Sequence, residues 1–245
     1  MRHFHWMSID GKSSRDFEVY ISGDGTYSSP ERAFKEVEVP GRNGTIFLYD
    51  GNYKNVDVTY KAWIAKVGDT HEVDLNFRNL RSFLMSREGY VRIEDTYHPD
   101  EFRFGAYNSS IDPDVHETLE AVEFEMTFTC KPQRFIKKYY DVPVEIKQSG
   151  YEFFNESYFD SKPLVRVYGT GSFAFNDISV TIDSAQEYTD FDCELQEAYK
   201  DSLVNNCNGN ITLTNARFPY LKSGINTISF EGPSKIELYP REFNL

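Results

Sequence analysis

Apolar and polar side chains alternate along much of this chain, and that rhythm sets the expected architecture. Phe17, Val19 and Ile21 share one face of the segment from Asp16 to Ile21. Val56, Val58, Tyr60, Ala62 and Ile64 alternate over a longer stretch. Val122, Phe124, Met126, Phe128 and Cys130 alternate with Glu123, Glu125, Thr127 and Thr129 in the cleanest run of all. A period of two puts successive side chains on opposite faces of a sheet, so each run reads as a half-buried strand. A Gly-rich loop (Gly23, Gly25) precedes a strand ending at Val37 and Val39. The turn Pro40-Gly41-Arg42-Asn43-Gly44 follows, and Thr45 to Tyr49 returns as the next strand. Proline presets φ there and glycine supplies positive φ.

The period changes once. Val73, Phe77, Leu80 and Leu84 recur at helical spacing, with Asp69 or Thr70 as N-cap and Gly89 as stop. Short strands are then expected at Tyr90 to Ile93 and Phe102 to Phe104, and a polar loop at Asn108 to His116. Lys131-Pro132 is expected to end the long strand, because proline has no N–H for a ladder. Arg134 to Tyr140 reads as a crossover between domains, and Asp141 to Lys162 as irregular and aromatic-rich. Beyond Pro163 the expected strands are Leu164 to Val167, Phe173 to Ile182, Phe191 to Leu195, Ile211 to Leu213, Thr227 to Phe230 and Lys235 to Leu238. Short strands separated by turn residues indicate a sandwich.

Composition narrows the function. The 245 residues are enough for one large or two ordinary domains. Aromatic residues reach 16%, which favours pleated, half-buried surfaces. A net charge of -13, from 26 basic and 39 acidic residues, argues against a duplex-binding face and an anionic membrane surface. No apolar run approaches a membrane span or a signal-peptide core. Three cysteines, Cys130, Cys193 and Cys207, fit reduced thiols; a Cys193–Cys207 bridge is the disfavoured alternative.

Candidate chemistry is sparse. Gly169-Thr170-Gly171-Ser172-Phe173-Ala174 matches a dinucleotide fingerprint on paper, but β-type alternation follows where that motif needs a helix. The glycines read as a turn. His3 and His5 lack a third ligand nearby, and surface roles are expected for all five histidines. Pairs such as Asp192 with Glu194, or Glu194 with Glu197, resemble glycosidase acids only by proximity, which says nothing of the separation such chemistry needs. No catalytic motif, metal site or cofactor site is expected. The cluster Tyr139, Tyr140, Tyr151, Phe153, Phe154, Tyr158 and Phe159 is expected to be buried at a seam, the alternative being a sugar-stacking surface.

Three strings carry a family resemblance. One is Val39-Pro40-Gly41-Arg42-Asn43-Gly44-Thr45, and another Phe128-Thr129-Cys130-Lys131-Pro132-Gln133-Arg134-Phe135. The third runs from Asp192-Cys193-Glu194-Leu195-Gln196-Glu197-Ala198-Tyr199 through Asn205-Asn206 and Asn208-Gly209 to Phe218-Pro219-Tyr220-Leu221 and Gly224-Ile225-Asn226-Thr227-Ile228. In this order and length the chain resembles the distal tail proteins of long-tailed phages that infect Gram-positive bacteria. The resemblance implies a mainly β protein. Residues 1–138 would form a ring-building β-sandwich or open barrel with one helix, and 139–245 a galectin-like or carbohydrate-binding-module-like β-sandwich.

It further implies a structural hub in the virion tail tip, assembled in the bacterial cytoplasm, with no enzymatic activity. A homo-oligomeric ring, sixfold in the family, would join the tail tube to the tail fibre or lysin protein and to receptor-binding or baseplate proteins. Pro40, Gly41, Arg42, Asn43 and Gly44 are placed near a subunit contact. If DNA passes through the ring, an acidic wall would repel its phosphates. Glu36 with Glu38, and Glu123 with Glu125, stand opposite apolar faces and are the expected channel-lining pairs. Two alternatives compete: a carbohydrate-binding adhesion module of the tail tip, and a hydrolase that would need a cleft of paired carboxylates.

Overall fold

The computed structural model describes residues 4–23, 25–65, 70–111, 121–184 and 187–245. The chain divides into two compact units, 1–134 with Leu245, and 135–244. The polar loop expected at Asn108 to His116 falls mostly outside the described residues, as do Asp69 and His3.

The first unit is built from β1 (Met7–Ile9), β2 (Lys12–Ser13), β3 (Val19–Ser22), β4 (Arg32–Glu38), β5 (Thr45–Tyr53), β6 (Val56–Ala65), α1 (Thr70–Met85), β7 (Val91–Asp95), β8 (Glu101–Tyr107) and β9 (Ala121–Ile136). Its main sheet runs β2-β1-β7-β8-β9-β6-β3 and curls as a half-barrel. Alternation in β6 and β9 is realised as expected. Val58, Tyr60, Ala62 and Ile64 are buried beside Val122, Phe124, Met126, Phe128 and Cys130 in one core, and the strands pair from Val56↔Cys130 to Ala65↔Ala121. Val73, Leu80 and Leu84 of α1 close that core, and Phe77 sits edge-on to Phe124 at 5.4 Å. The helix ends at Met85, before the expected Gly89 stop.

Two expectations need correction here. Phe17, Val19 and Ile21 are all buried, but Ser14–Phe17 is a 3-10 turn and only Val19–Ser22 is strand. The Ser14 hydroxyl holds the turn by donating to the Val19 carbonyl at 2.8 Å. Second, Pro132 does not end β9, which continues to Ile136. The ladder with β6 stops at Cys130, so on that flank Pro132 opposes no strand that would require an N–H.

The second unit comprises β10 (Val144–Ile146), β11 (Tyr151–Asn155), β12 (Leu164–Tyr168), β13 (Gly171–Phe175), β14 (Ile178–Ile182), β15 (Tyr188–Asp192), β16 (Glu197–Lys200), β17 (Ser202–Asn206), β18 (Ile211–Leu213), β19 (Gly224–Glu231), β20 (Lys235–Tyr239) and β21 (Phe243–Asn244). One sheet runs β10-β20-β12-β15-β16-β17 and the other β11-β19-β13-β14-β18. Phe191, Ile236 and Leu238 from the first meet Phe173, Phe175, Val180 and Ile228 from the second in a shared core. The segment 141–162, expected to be irregular, holds β10 and β11. Phe173 to Ile182 is a hairpin of two strands, turned at Asn176 with φ +55°.

Candidate functional site

The most unusual element is the ribbon of β4 and β5. Among the described residues, these strands pair only with each other. At its tip, Arg42 N–H donates to the Val39 carbonyl at 3.1 Å, and Gly41 (φ +80°) and Gly44 (φ +82°) take left-handed backbone. Pro40, Gly41, Arg42, Asn43 and Gly44 are thus one exposed turn. By register, Phe34, Glu36 and Glu38 share a face with Tyr49, Phe47 and Thr45, while Lys35 and Val37 share the other with Leu48 and Ile46. Phe34, Val37, Val39, Phe47, Leu48 and Tyr49 are all exposed. Neither face is a core face: Glu36 and Glu38 are exposed, and so are Val37 and Val39 opposite them. Phe34 contacts Phe47 edge-on at 5.1 Å, and the Arg32 guanidinium lies over Tyr53 at 5.2 Å.

The ribbon's root is gripped by buried cations. Arg103 of β8 donates from Nη2 to the Ser28 carbonyl at 3.2 Å. Arg134 of β9 donates from Nη2 to the Thr26 carbonyl and, at 3.2 Å, to Thr26 Oγ1. Both arginines and Thr26 are buried. Burial, then the neighbouring Arg134 charge, lowers the Arg103 pKa. Nearer the ribbon, Lys54 N–H donates to the Glu31 carbonyl at 2.9 Å and Lys54 Nζ pairs with the Glu31 carboxylate at 3.2 Å. Sequence reasoning missed these arginines. The sequence marks Phe102 to Phe104 only as a short strand; in it Phe102, Arg103, Gly105 and Tyr107 are all buried, and the Arg92 guanidinium covers the Phe102 ring from 3.9 Å.

The two acidic pairs lie on different sheets. Glu36 and Glu38 sit on the ribbon, while Glu123 and Glu125 stand on β9, on the exposed face of the main sheet. Lys61 is directly opposite Glu125 and Trp63 opposite Glu123. A shallow depression of about 530 Å³ there is lined by Ser22, Lys61, Ser110, Glu123, Glu125 and Thr127, among others.

In the second unit the carboxylates cast as catalytic are committed elsewhere. Asp192 takes both Arg241 nitrogens at 3.0 Å and accepts the Glu194 and Leu195 N–H groups. Glu197 accepts from the Asn206 amide at 2.8 Å and from that of Asn208. Asp190, also buried, is held by Arg166 at 2.7 and 3.0 Å. Among the described residues, no three His, Cys, Asp or Glu side chains gather as a metal ion would require. The thiols are free, and burial pushes Cys130 up to about 11 and Cys193 higher still. His5 and His98 are half-buried and hydrogen-bonded to Thr96 and Asp95 rather than simple surface groups. Gly171 enters a strand and approaches the Glu231–Gly232 backbone, so the glycine-rich string is an inter-strand turn.

The aromatic cluster is split. Phe153 is buried, and Tyr140 and Phe159 are half-buried, but Tyr139, Tyr151, Phe154 and Tyr158 are exposed. The expectation of a fully buried cluster fails because Phe154 projects from the solvent face of β11 and Tyr158 from the loop after it.

This arrangement, a curled sheet bearing one helix and a free ribbon followed by a two-sheet unit, is the fold of phage tail-hub and baseplate proteins. The SPP1 Dit protein (gp19.1), described as a paradigm of the hub adsorption apparatus in phages infecting Gram-positive bacteria, superposes with a TM-score of 0.75. That match covers 99% of this chain and 100% of Dit at 16% identity. The phage P2 baseplate in its activated conformation gives 0.53 with calcium, at 11% identity over 97% of each chain. With strontium it gives 0.50, at 11% identity over 96% of each. The chain is Dit-like in fold. No family model and no curated protein sequence matches it.

Proposed function

We propose that this chain is a structural hub protein of a phage tail tip, forming a homo-oligomeric ring, sixfold as in the family it resembles. The observation that carries the reading is the β4–β5 ribbon, whose apolar side chains are exposed on both faces. A two-stranded ribbon is marginal alone in water, so such a ribbon is best understood as an arm completed by a neighbouring copy. A head-to-tail contact of this kind closes into a ring when its rotation permits. The likeness to a hub protein along the whole chain supports the same reading.

In this reading 1–138 builds the ring with Pro40 to Gly44 at the subunit contact, and 139–245 is a galectin-like sandwich. The tail tube and the fibre or lysin protein are partners, and at least one of the pairs Glu36 with Glu38 and Glu123 with Glu125 faces the channel. The test is electron microscopy of purified tail tips together with the double variant Phe47→Asp/Leu48→Asp. The expected outcome is a ring in the parent, and folded protein that no longer enters tails in the variant. Tail tips without a ring of this protein overturn the reading.

A further inference from the structure

A β-sandwich must manage the open edges of its sheets, because an edge strand presents unpaired N–H and C=O groups that template another strand. In the second unit the edges are β10 and β17 of one sheet and β11 and β18 of the other. Three are blunted. β10 has three residues, directly after Pro143, with Glu145 paired to Lys147 at 2.8 Å. β18 has three residues and runs straight into the Thr214–Ala216 turn. β17 meets β16 through a register shift.

β11 carries none of these protections beyond the single charge of Glu152. Its five residues pair one to one with β19, from Tyr151↔Ile228 to Asn155↔Gly224, and contain no Pro, Lys or Arg. Phe154, 61% exposed, stands opposite Ile225, 67% exposed. Tyr158 is 92% exposed on a loop that is already fixed. There Asn155 Nδ2 donates to the Phe159 carbonyl at 3.0 Å, Ser157 Oγ to the Phe243 carbonyl at 2.5 Å, and Ser223 Oγ to the Ser157 carbonyl at 2.6 Å. A loop held in this way loses little backbone freedom on contact.

We propose that β11 is a docking edge that accepts an extended segment of a partner protein as an added strand. The edge also specifies the segment. Glu152 and Phe154 share the outer face, so the added strand places an apolar residue beside Phe154 and, two positions along, a Lys or Arg beside Glu152. The net charge of -13 draws a basic segment in at long range. A polysaccharide would stack on the rings but leave the hydrogen-bonding edge unused. The site lies outside the ring reading and stands without it.

The experiment uses the full-length protein and labelled nine-residue peptides that alternate apolar and Thr residues. One series carries Lys two positions from the central apolar residue, and its twin carries Glu there. Fluorescence anisotropy should show the Lys peptide binding at least tenfold tighter than the Glu twin. Glu152→Lys should invert that preference, and Phe154→Lys should weaken binding at least tenfold with the circular dichroism unchanged. N-methylating one alternate set of peptide nitrogens should abolish binding while the other set is tolerated, since only every second N–H faces the edge. Binding indifferent to both N-methyl sets overturns the proposal. So does the absence of peptide binding up to millimolar concentration. Saturable binding of cell-wall polysaccharide that Tyr158→Ala removes, without peptide binding, assigns the patch to sugar instead.

Discussion

A methyl group at Gly171 would sit 2.2 Å from the Glu231 carbonyl oxygen, on a backbone with φ of +123°. No side-chain rotation relaxes that clash, because the two nearest atoms, the Glu231 carbonyl oxygen and Gly232 Cα, are backbone. Gly171→Ala is therefore expected to destabilise the second unit by about 2–3 kcal/mol, the strain of a disfavoured conformation plus displaced strands, measurable by urea unfolding. Arg166→Ala should cost about 3 kcal/mol, the low end for stranding a buried carboxylate, since Asp190 would lose its bidentate partner but Arg166 keeps some solvent contact. Glu242 behaves oppositely. Burial raises its pKa above 4.5, so its folded state binds the proton more readily than the unfolded chain. Its favourable contribution is complete below the unfolded pKa and is lost as pH rises through the folded one. Glu242→Gln should accordingly gain stability over the parent at pH 7 but not at pH 4, checked by thermal melts at both. At this scale the sequence conveyed the buried face of β9 well. It hid Arg103, because periodicity weighs a cation as outward and cannot see the Ser28 carbonyl oxygen to which Nη2 donates.

Elements were legible where one face is buried and one is wet. β6, β9 and α1 obey that condition, and their periods place them correctly. The ribbon does not. Both of its faces mix apolar and polar residues, so alternation identifies the strands but not that each face lies open. Pro132 misled for a related reason: a proline ends a strand only where its N–H would have met a neighbour, which is a property of the sheet. β16 and β17, rich in polar residues at Glu197–Lys200 and Ser202–Asn206, carry little apolar signal and went unseen. Because the ribbon contributes little to the core, Phe47→Asp/Leu48→Asp should shift monomer stability by only about 0.5 kcal/mol or less. Equilibrium unfolding should show a midpoint near that of the parent even though assembly fails.

At the scale of the whole molecule, residues 135–245 expressed alone should fold cooperatively, since the second unit has its own core. Limited proteolysis of the intact chain should cut first between Lys137 and Asp141, in the turn that separates β9 from β10. An unfolded fragment, with cuts only elsewhere, argues for one inseparable body. Phage carrying Glu123→Lys with Glu125→Lys should assemble tails yet eject DNA more slowly, as each new cation adds a salt-sensitive phosphate contact; unchanged ejection kinetics reject the channel assignment. The sequence indicated the β-rich class and, through three short strings, a family. Which surfaces remain uncovered lay beyond it, because exposure is decided by strands far apart in the chain.

The distribution of thiols has a practical corollary. Cys130 and Cys193 are buried while Cys207 is only partly covered, and alkylation follows access to the sulfur. The native protein thus arrives with one natural handle per copy, whereas the denatured chain offers three. A maleimide dye should attach once under native conditions, needing no engineered residue. Each particle would then carry as many fluorophores as copies of the chain, and counting the steps in which its light goes out would count those copies and so test for the proposed ring.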